Sequence, residues 1–343
     1  MGPDPAVAAV RLGVRHALTG LCDQAASAGA GEVRDEAALV LVACSGGPDS
    51  LALASATAFE APRLGLRAGA VTVDHGLQPG SAERAASVAA ALQPMGLEPV
   101  ASLRATVTSR GNAAYPGPEA AARQARYAVI EAAAVEFGAS AVLLGHTMDD
   151  QAETVLLGLA RGSGPRSLSG MQPAAGRYLR PLLGLRRSQT MAACAAEGLE
   201  PWQDPHNADP AYTRTRVRQQ ILPLMEELLG PGVTESLART AGLMREDADA
   251  LDELAADAAQ RLTAADGGLE VAALAALPAA IRARLLRRAA IAAGSPPGSL
   301  TAGHVSGLDA LVTSWHGQRW CDLPGGVRCL RRYGRLQFTS PSS

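Results

Sequence analysis

Residues Ala43 to Ser50 read ACSGGPDS, between an apolar run, Ala37 to Val42, and a helical pattern, Leu51 to Phe59. A glycine turn between strand and helix offers backbone N–H groups and the positive end of a helix dipole to an anion, most simply a phosphate. A Walker loop needs four residues between its glycines and then a Lys and a hydroxyl, and no Lys stands here. Ser45, Gly46 and Gly47 can wrap an oxyanion closely because two of them lack Cβ, and Pro48 suits the first helical turn. Asp49 puts a carboxylate beside that anion, which makes sense with a bridging divalent cation. Helix capping would account for Ser45 and Asp49 taken alone, but not for the strand, SGGPDS and helix together.

A second group follows the apolar run Ser140 to Leu144, which ends in Gly145 and His146 and leads into TMDDQAET. In a helix begun near Thr147, Asp150 and Glu153 stand three apart and share a face. Thr147 with Asp150 also fits a capping box, and acids favour a helix N-terminus. Capping explains one acid; three acids and His146 at a glycine-flanked strand end point to function. Another run ends in Asp74, His75 and Gly76 (VTVDHGL). In EAAARQARY, Glu119 and Arg123 can form a plain surface ion pair, whereas an inward Arg123 or Arg126 would grip phosphate or carboxylate through its fork. Arg161 to Met171, RGSGPRSLSGM, reads equally as a lid or a connector. Arg214 and Arg218 lie one turn apart in YTRTRVRQQILP with Arg216 on a different face. Without an acid among them they suit a phosphate-backbone footprint or a solvated face.

The elements that must position these residues are legible as an alternation. Strand-like runs at Leu39 to Ala43, Ala68 to Val73, about Pro99 to Leu103 and Ser140 to Leu144 enclose helical patterns at Leu51 to Phe59, Ala82 to Met95 and Glu119 to Phe137. That order predicts a parallel sheet covered by helices, with ligands beyond the carboxyl ends of the strands. Val7, Val10, Val14, Leu18 and Leu21 predict a packed amphipathic N-terminal helix. Helices are expected at about Arg186 to Glu197, from Tyr212, through much of Leu224 to Ala293 with breaks at Gly230 to Gly232 and Asp266 to Gly268, and at about Thr301 to Val312. The end reads as a small antiparallel unit with Arg319, Arg328, Arg331, Arg332 and Arg335 around Trp320 and Tyr333, an RNA surface or an arginine-rich β-edge.

The 343 residues allow two domains, placed at 1–224 and 225–343, and 31 basic against 33 acidic residues give no global sign of nucleic acid. Any such surface must be local. Five cysteines without a CxxC pair argue against zinc, an iron–sulfur cluster or a disulfide framework and suit the cytoplasm. No run approaches the length of a membrane span, and the N-terminus lacks a signal-peptide pattern. The oligomeric state is open, a homodimer included.

SGGxDS after a strand resembles the phosphate loop of the N-type ATP pyrophosphatases, which split ATP between its α and β phosphates and adenylate a substrate. In chain order, SGGPDS, VDHGLQPGS, EAAARQARY, GHTMDDQAET, RGSGPRSLSGM, YLRPLL and WQDPHN with YTRTRVRQQILP resemble the tRNA(Ile)-lysidine synthetase family, closely over about Ala38 to Pro223. Beyond Pro223 the likeness is looser, as in a short form. Asn112 to Pro118 carries the insertion AAYPGP, and Thr147 stands where the family often has a bulky residue or a second His. The resemblance implies an α/β fold, a parallel sheet with helices on both faces of the adenine nucleotide alpha hydrolase kind, followed by a smaller helical, tRNA-binding domain with a short β unit. It implies ATP and Mg²⁺, free L-lysine, and the isoleucine tRNA with a CAU anticodon, whose first anticodon cytidine is adenylated and then attacked by the lysine ε-amine.

By the same resemblance Ser45, Gly46, Gly47, Pro48, Asp49, Ser50, Asp74 and Gly145 serve ATP, with Asp49 on Mg²⁺. Asp150 and Glu153 hold and deprotonate lysine, His146 accepts a proton, and Arg126, less readily Arg123, meets phosphate or the lysine carboxylate. Arg214 and Arg218 contact substrate. Alternatives are a tRNA thiolase of the same superfamily, for which no cysteine pair is spaced, a GMP or NAD synthetase, and a non-catalytic nucleotide-gated RNA-binding protein.

Overall fold

The computed structural model describes residues 2–27, 37–74, 76, 80–105, 118–202, 209, 211–262 and 268–340, with backbone alone at 118–120. In chain order the elements are α1 (Pro5–Ser27), β1 (Leu39–Ala43), α2 (Pro48–Glu60), β2 (Arg67–Asp74), α3 (Ser81–Leu92), β3 (Val100–Arg104), α4 (Pro118–Glu136), β4 (Ala139–Leu144), α5 (Met148–Ala160) and α6 (Pro165–Leu168). There follow β5 (Ala174–Ala175), β6 (Tyr178–Leu179), α7 (Arg187–Ala196), α8 (Thr213–Arg216), α9 (Leu222–Leu229), α10 (Val233–Leu262), β7 (Leu269–Glu270), α11 (Val271–Ala275), α12 (Ala279–Ala292), α13 (Ala302–Thr313), β8 (Trp320–Asp322), β9 (Arg328–Arg332) and β10 (Arg335–Thr339). The chain divides into two compact units, Met1–Gly162 with Gly170–Ala241, and Ser163–Ser169 with Gly242–Ser343.

The first unit is built on a six-stranded sheet in the order β3-β2-β1-β4-β6-β5, parallel except for β5. From β1 the chain steps outward one way to β2 and β3 and then returns to place β4 on the other side. The sequence order of the strands therefore reverses between β1 and β4, the place where open α/β sheets bind ligands beyond their carboxyl ends. Both faces of β1 are covered, which is why LVLVA is apolar throughout rather than alternating. Val40 and Val42 pack with residues of α1, α2, α3 and α7, while Leu39 and Leu41 pack with Ile130, Ala133 and Ala134 of α4.

The N-terminal helix is as its spacing predicts, with Val7, Val10, Val14 and Leu18 buried. Polar ties register it on the unit. Arg15 Nε and Nη2 each donate over 2.9 Å to the carboxylate of the buried Glu60 in α2, and Arg11 Nη2 donates over 2.8 Å to Glu197. The expected strands and helices of the first half are all present within a few residues. The short β5–β6 pair within Ala174–Leu179 was not anticipated, nor was the π-helical stretch Val217–Ile221 that joins α8 to α9. Two-residue strands carry too little periodicity to be read from sequence.

In the second unit the antiparallel sheet β7-β10-β9-β8 packs with α10 to α13 around Leu274, Leu285, Leu286, Leu308, Val327 and Leu336. Tyr333 and Gly334, both at positive φ, turn β9 into β10. That is the left-handed pair a two-residue hairpin requires. No helix among the described residues is long and apolar enough to cross a membrane.

Gly145 brings β4 against the start of α2. A Cβ built there would lie 3.1 Å from the backbone of Asp49 and the N of Ser50. Gly145→Ala is therefore expected to cost about 1–3 kcal/mol, the usual range for overpacking, read as a lower urea midpoint at unchanged slope.

Candidate functional site

The glycine turn after β1 is shaped by its own side chains. Gly46 sits at φ +83 with Val88 of α3 so near that a Cβ would fall 2.6 Å from Val88 Cγ2, so both conformation and space require glycine. Ser50 Oγ donates to Gly47 O over 2.9 Å and accepts from Ser45 N at 3.2 Å. Its hydroxyl thus braces the loop from beneath, which leaves the helix start to meet a ligand. Trp202 N donates to Gly46 O over 2.9 Å, and the Arg84 guanidinium lies 3.4 Å over the Trp202 ring.

The turn after β4 lies alongside. Thr147 precedes α5, and its N–H and hydroxyl donate to Asp150 Oδ2 over 2.8 and 3.1 Å. Asp150 therefore caps, as TMDD suggests, and its other oxygen is left for the site. Oδ1 meets Arg187 Nη2 and Arg218 Nη2, each at 3.2 Å. Glu153 is fully buried, with Arg214 Nε 2.7 Å from Oε2 and Arg218 Nε 2.5 Å from Oε1. Arg187 also reaches the first turn, its Nε donating over 2.9 Å to Asp49 Oδ2, while the Thr190 hydroxyl donates to Asp49 Oδ1. Asp49, Asp150 and Glu153 are thus knitted to Arg187, Arg214 and Arg218 in one network.

A cavity of about 680 Å³ opens over both turns. Ser45, Gly47, Asp49, Gly145, His146, Asp150, Arg126, Arg187 and Arg218 line it, together with apolar walls such as Val71, Ile130, Met191 and Trp202. Burial raises the Asp49 carboxyl above its ordinary range although Arg187 and Thr190 pull the other way. For Asp150 burial again opposes ionisation, but Arg187, Arg214 and the Thr147 N–H outweigh it and hold the carboxyl below its ordinary range. Burial likewise works against the Arg187 cation, and Asp150, Asp49 and Glu153 more than compensate. His146 is held at about 4, chiefly by burial, against a partial pull from Asp150, and its buried Nδ1 has no hydrogen-bond partner among the described residues. The ring is therefore neutral at pH 7. Burial and the positive Arg123 and Arg214 lower the Arg126 guanidinium, an environment that an arriving anion would relieve.

Of the residues singled out from sequence, the structure brings together Ser45, Gly46, Gly47, Pro48, Asp49, Ser50, Gly145, His146, Asp150, Glu153, Arg126, Arg214 and Arg218. Arg126 lines the cavity, whereas Arg123 donates to the Tyr127 hydroxyl over 3.1 Å at the exposed surface. Asp74 is buried at the end of β2, accepting from Gly76 N over 2.8 Å, and is not among the cavity's lining residues. His75, residues 112–117 of the insertion and most of WQDPHN lie outside the described residues, as does the Glu119 side chain. The backbone-footprint reading of YTRTRVRQQILP is corrected: Arg214 and Arg218 turn onto Glu153, 61 and 65 residues away in sequence, and of the three arginines only Arg216 is exposed.

Sequence reasoning missed Arg187 and Thr190. The available signal was an arginine at the first position of a helix, where the dipole disfavours a cation and anions are expected. All five cysteines are free; Cys44 and Cys194 line the cavity, but burial raises both thiols, Cys194 to about 11. Among the described residues no group of three or more His, Cys, Asp or Glu could hold a metal. In the second unit Trp315, Trp320 and Tyr333 are exposed, with Arg331 4.6 Å over Trp315 and Arg328 5.1 Å over Trp320.

Known proteins resemble this chain over most of its length. A PP-loop domain family matches residues 23–225, and a TilS substrate binding domain family matches 269–337. A tRNA(Ile)-lysidine synthase of Thermobifida fusca is 59% identical over 335 residues, 98% of each chain. One of Streptomyces coelicolor is 56% identical over 354 residues, 98% of this chain and 99% of its own. Among solved structures, the U34-tRNA thiolase NcsA from Methanococcus maripaludis superposes with a TM-score of 0.54 at 17% identity, covering 70% of this chain and 80% of that one, a likeness of fold. With a phosphate turn at the sheet's switch point and near-full-length identity to these relatives, the chain belongs to the PP-loop proteins and, among them, to the tRNA(Ile)-lysidine synthase family.

Proposed function

We propose that the chain ligates free L-lysine to the first anticodon cytidine of the isoleucine tRNA that carries CAU, at the expense of ATP and in the cytoplasm. The observation that carries the reading is identity of 54–59% to relatives of that name over nearly the whole of both chains. The cytidine carbonyl oxygen attacks the α-phosphorus of ATP and pyrophosphate departs, leaving an adenylated base. The lysine ε-amine then attacks the carbon bearing that oxygen, AMP leaves with the oxygen, and the amine proton passes to a base.

Each step has residues suited to it. The turn Ser45 to Ser50 and the start of α2 receive the phosphates, where N–H groups and the helix dipole neutralise developing charge without reorganising. Asp49 is a single carboxylate on the cavity wall beside that turn, and Mg²⁺ characteristically takes one or two carboxylates together with substrate phosphates and water, so the donor set fits. Mg²⁺ brought by ATP would draw charge from the departing pyrophosphate. Arg126 faces the same cavity as a cation for phosphate or for the lysine carboxylate. Asp150 and Glu153 hold the lysine ammonium, taking it in exchange for arginine, and neutral His146 accepts the proton released on attack. The domain of residues 1–224 carries this chemistry, and 225–343 holds tRNA. There the arginines stacked on Trp315 and Trp320 offer charge and aromatic faces together, which single-stranded and looped RNA favours.

Sulfur transfer in the same fold would call for a thiolate in the cavity. Burial keeps Cys44 and Cys194 protonated at neutral pH, which favours an amine nucleophile.

Given ATP, Mg²⁺ and labelled lysine, the chain should label an unmodified isoleucine transcript with a CAU anticodon and leave the methionine transcript with the same anticodon unlabelled. One AMP should form per lysine; AMP release without label in either would reject lysine as the nucleophile. Asp150→Asn should lower lysine transfer by about 10²-fold or more while single-turnover pyrophosphate release falls far less, since only the second step is assigned to it. Replacement that spares lysine transfer would remove that role.

His146 also predicts an acid limb in stability. Its folded value of about 4 lies below its ordinary 6.5, so folding favours the neutral ring. That contribution is intact above pH 6.5 and is lost as pH falls toward 4. Urea unfolding at about pH 7 and about pH 4.5 should show a smaller acid loss for His146→Asn than for the unsubstituted chain, and proton NMR should place the ring's midpoint well below 6.5.

A further inference from the structure

We propose that Arg187 is a positioning residue that makes lysine binding depend on ATP: it competes with the lysine ammonium for Asp150, and an arriving triphosphate draws it away. The inference rests on the assignment of Asp49 to ATP and of Asp150 and Glu153 to lysine made above.

Arg187 is the residue that touches both halves of the site. Its Nε lies 2.9 Å from Asp49 Oδ2, its Nη2 3.2 Å from Asp150 Oδ1 and its Nη1 4.0 Å from Glu153 Oε1. The other two arginines of the network contact Asp150 and Glu153 but not Asp49. Glu153 has no solvent exposure, and both of its oxygens are taken by guanidinium groups. Those guanidiniums belong to Arg214 and Arg218, so the carboxylate oxygen that Arg187 guards is Asp150 Oδ1, where an ammonium can take its place only if a guanidinium leaves. A guanidinium in turn leaves a buried carboxylate only for another anion, because an unpaired buried charge is costly. The triphosphate is that anion, and Arg187 already stands against Asp49 at the phosphate turn.

Three features of the backbone agree. Arg187 is the first residue of α7, where a cation opposes the helix dipole, so its placement does not serve the helix. Its N–H donates over 2.8 Å to Asp149 Oδ2, which fixes the backbone beside α5 while the long side chain can swing. Arg218 lies in the π-helical stretch Val217–Ile221, a local irregularity frequent at functional sites, and lines the same cavity. Asp49, Asp150 and Glu153 against Arg187, Arg214 and Arg218 balance in formal charge. An ammonium arriving at Asp150 displaces a guanidinium, and the triphosphate offers that guanidinium an anion.

The test is equilibrium dialysis of labelled lysine against the full chain without tRNA, with and without Mg²⁺ and the non-cleavable α,β-methylene-ATP. The unsubstituted chain should bind lysine roughly tenfold more tightly with the nucleotide, and by reciprocity the nucleotide should bind tighter with lysine. In Arg187→Gln lysine affinity should change less than about twofold on adding nucleotide, because the latch is gone. Arg187→Lys should keep part of the dependence, having the charge but not the fork. Equal lysine affinity with and without nucleotide in the unsubstituted chain overturns the proposal without recourse to a variant. So does undiminished coupling in an Arg187→Gln chain that melts normally. Lysine incorporation into the isoleucine transcript, measured alongside, separates the cases: incorporation without coupling overturns the role of Arg187 alone, while failure of incorporation overturns the functional reading and the inference with it.

Discussion

Burying the Glu153 carboxylate completely is tolerable only because two guanidinium groups face it, from α8 and from the π-helical stretch that follows. An isolated ion at that depth would cost several kcal/mol, so the pairing is a condition of the fold as much as of the site. It also fixes where distant chain segments must end. The start of α5, the start of α7 and the turn into α9 are brought together by the same few charges. Remove the arginines and α5 would carry an uncompensated acid into the core; remove the acids and the guanidiniums would repel one another across a cavity.

The sheet makes this convergence possible. Parallel register sets Ala43 of β1 beside Leu144 of β4, so the residues that follow each strand emerge side by side. The turn after β1 is rich in N–H donors, and the turn after β4 is rich in carboxylates. Two glycines let them approach: Gly46 by its positive φ beneath Val88, and Gly145 by the absence of a Cβ against the Asp49 backbone. A site assembled from strand ends on a rigid sheet holds its dipoles in place before the ligand arrives, which is what electrostatic stabilisation requires.

Much of this was legible in the chain because periodicity and strand-end chemistry are local. The four parallel strands and the intervening helices could be read from short apolar runs with glycine and acids at their ends. So could the grouping of Asp49, His146, Asp150 and Glu153, once the alternation implied a common crevice. What the sequence hid was pairing over distance. Arg214 and Arg218 look like an exposed basic stripe because no acid neighbours them in the chain, yet their partner Glu153 precedes them by 61 and 65 residues. Arg187 escaped notice for the same reason, since its acids come from α2 and α5. The capping role of Asp150 was legible, but that one carboxylate caps with one oxygen and joins the cluster with the other depends on arginines far away in the chain.

A near-neutral chain with a charged active site raises the question of why acids and arginines were placed against one another rather than apart. The two ligands proposed for the site carry opposite charge, a polyanionic nucleotide and a cationic amino acid. In a cavity of lowered dielectric, a pocket of bare arginines would bind the first strongly and exclude the second, and a pocket of bare acids would do the reverse. A balanced network admits both by exchanging partners, so that no step requires an unpaired charge to stand exposed to apolar walls such as Val71 and Ile130. The cost of that arrangement is weaker binding of either ligand alone, because each must displace an existing pair. A ligase that must not hydrolyse ATP idly gains from that weakness, since the nucleotide alone is held less tightly.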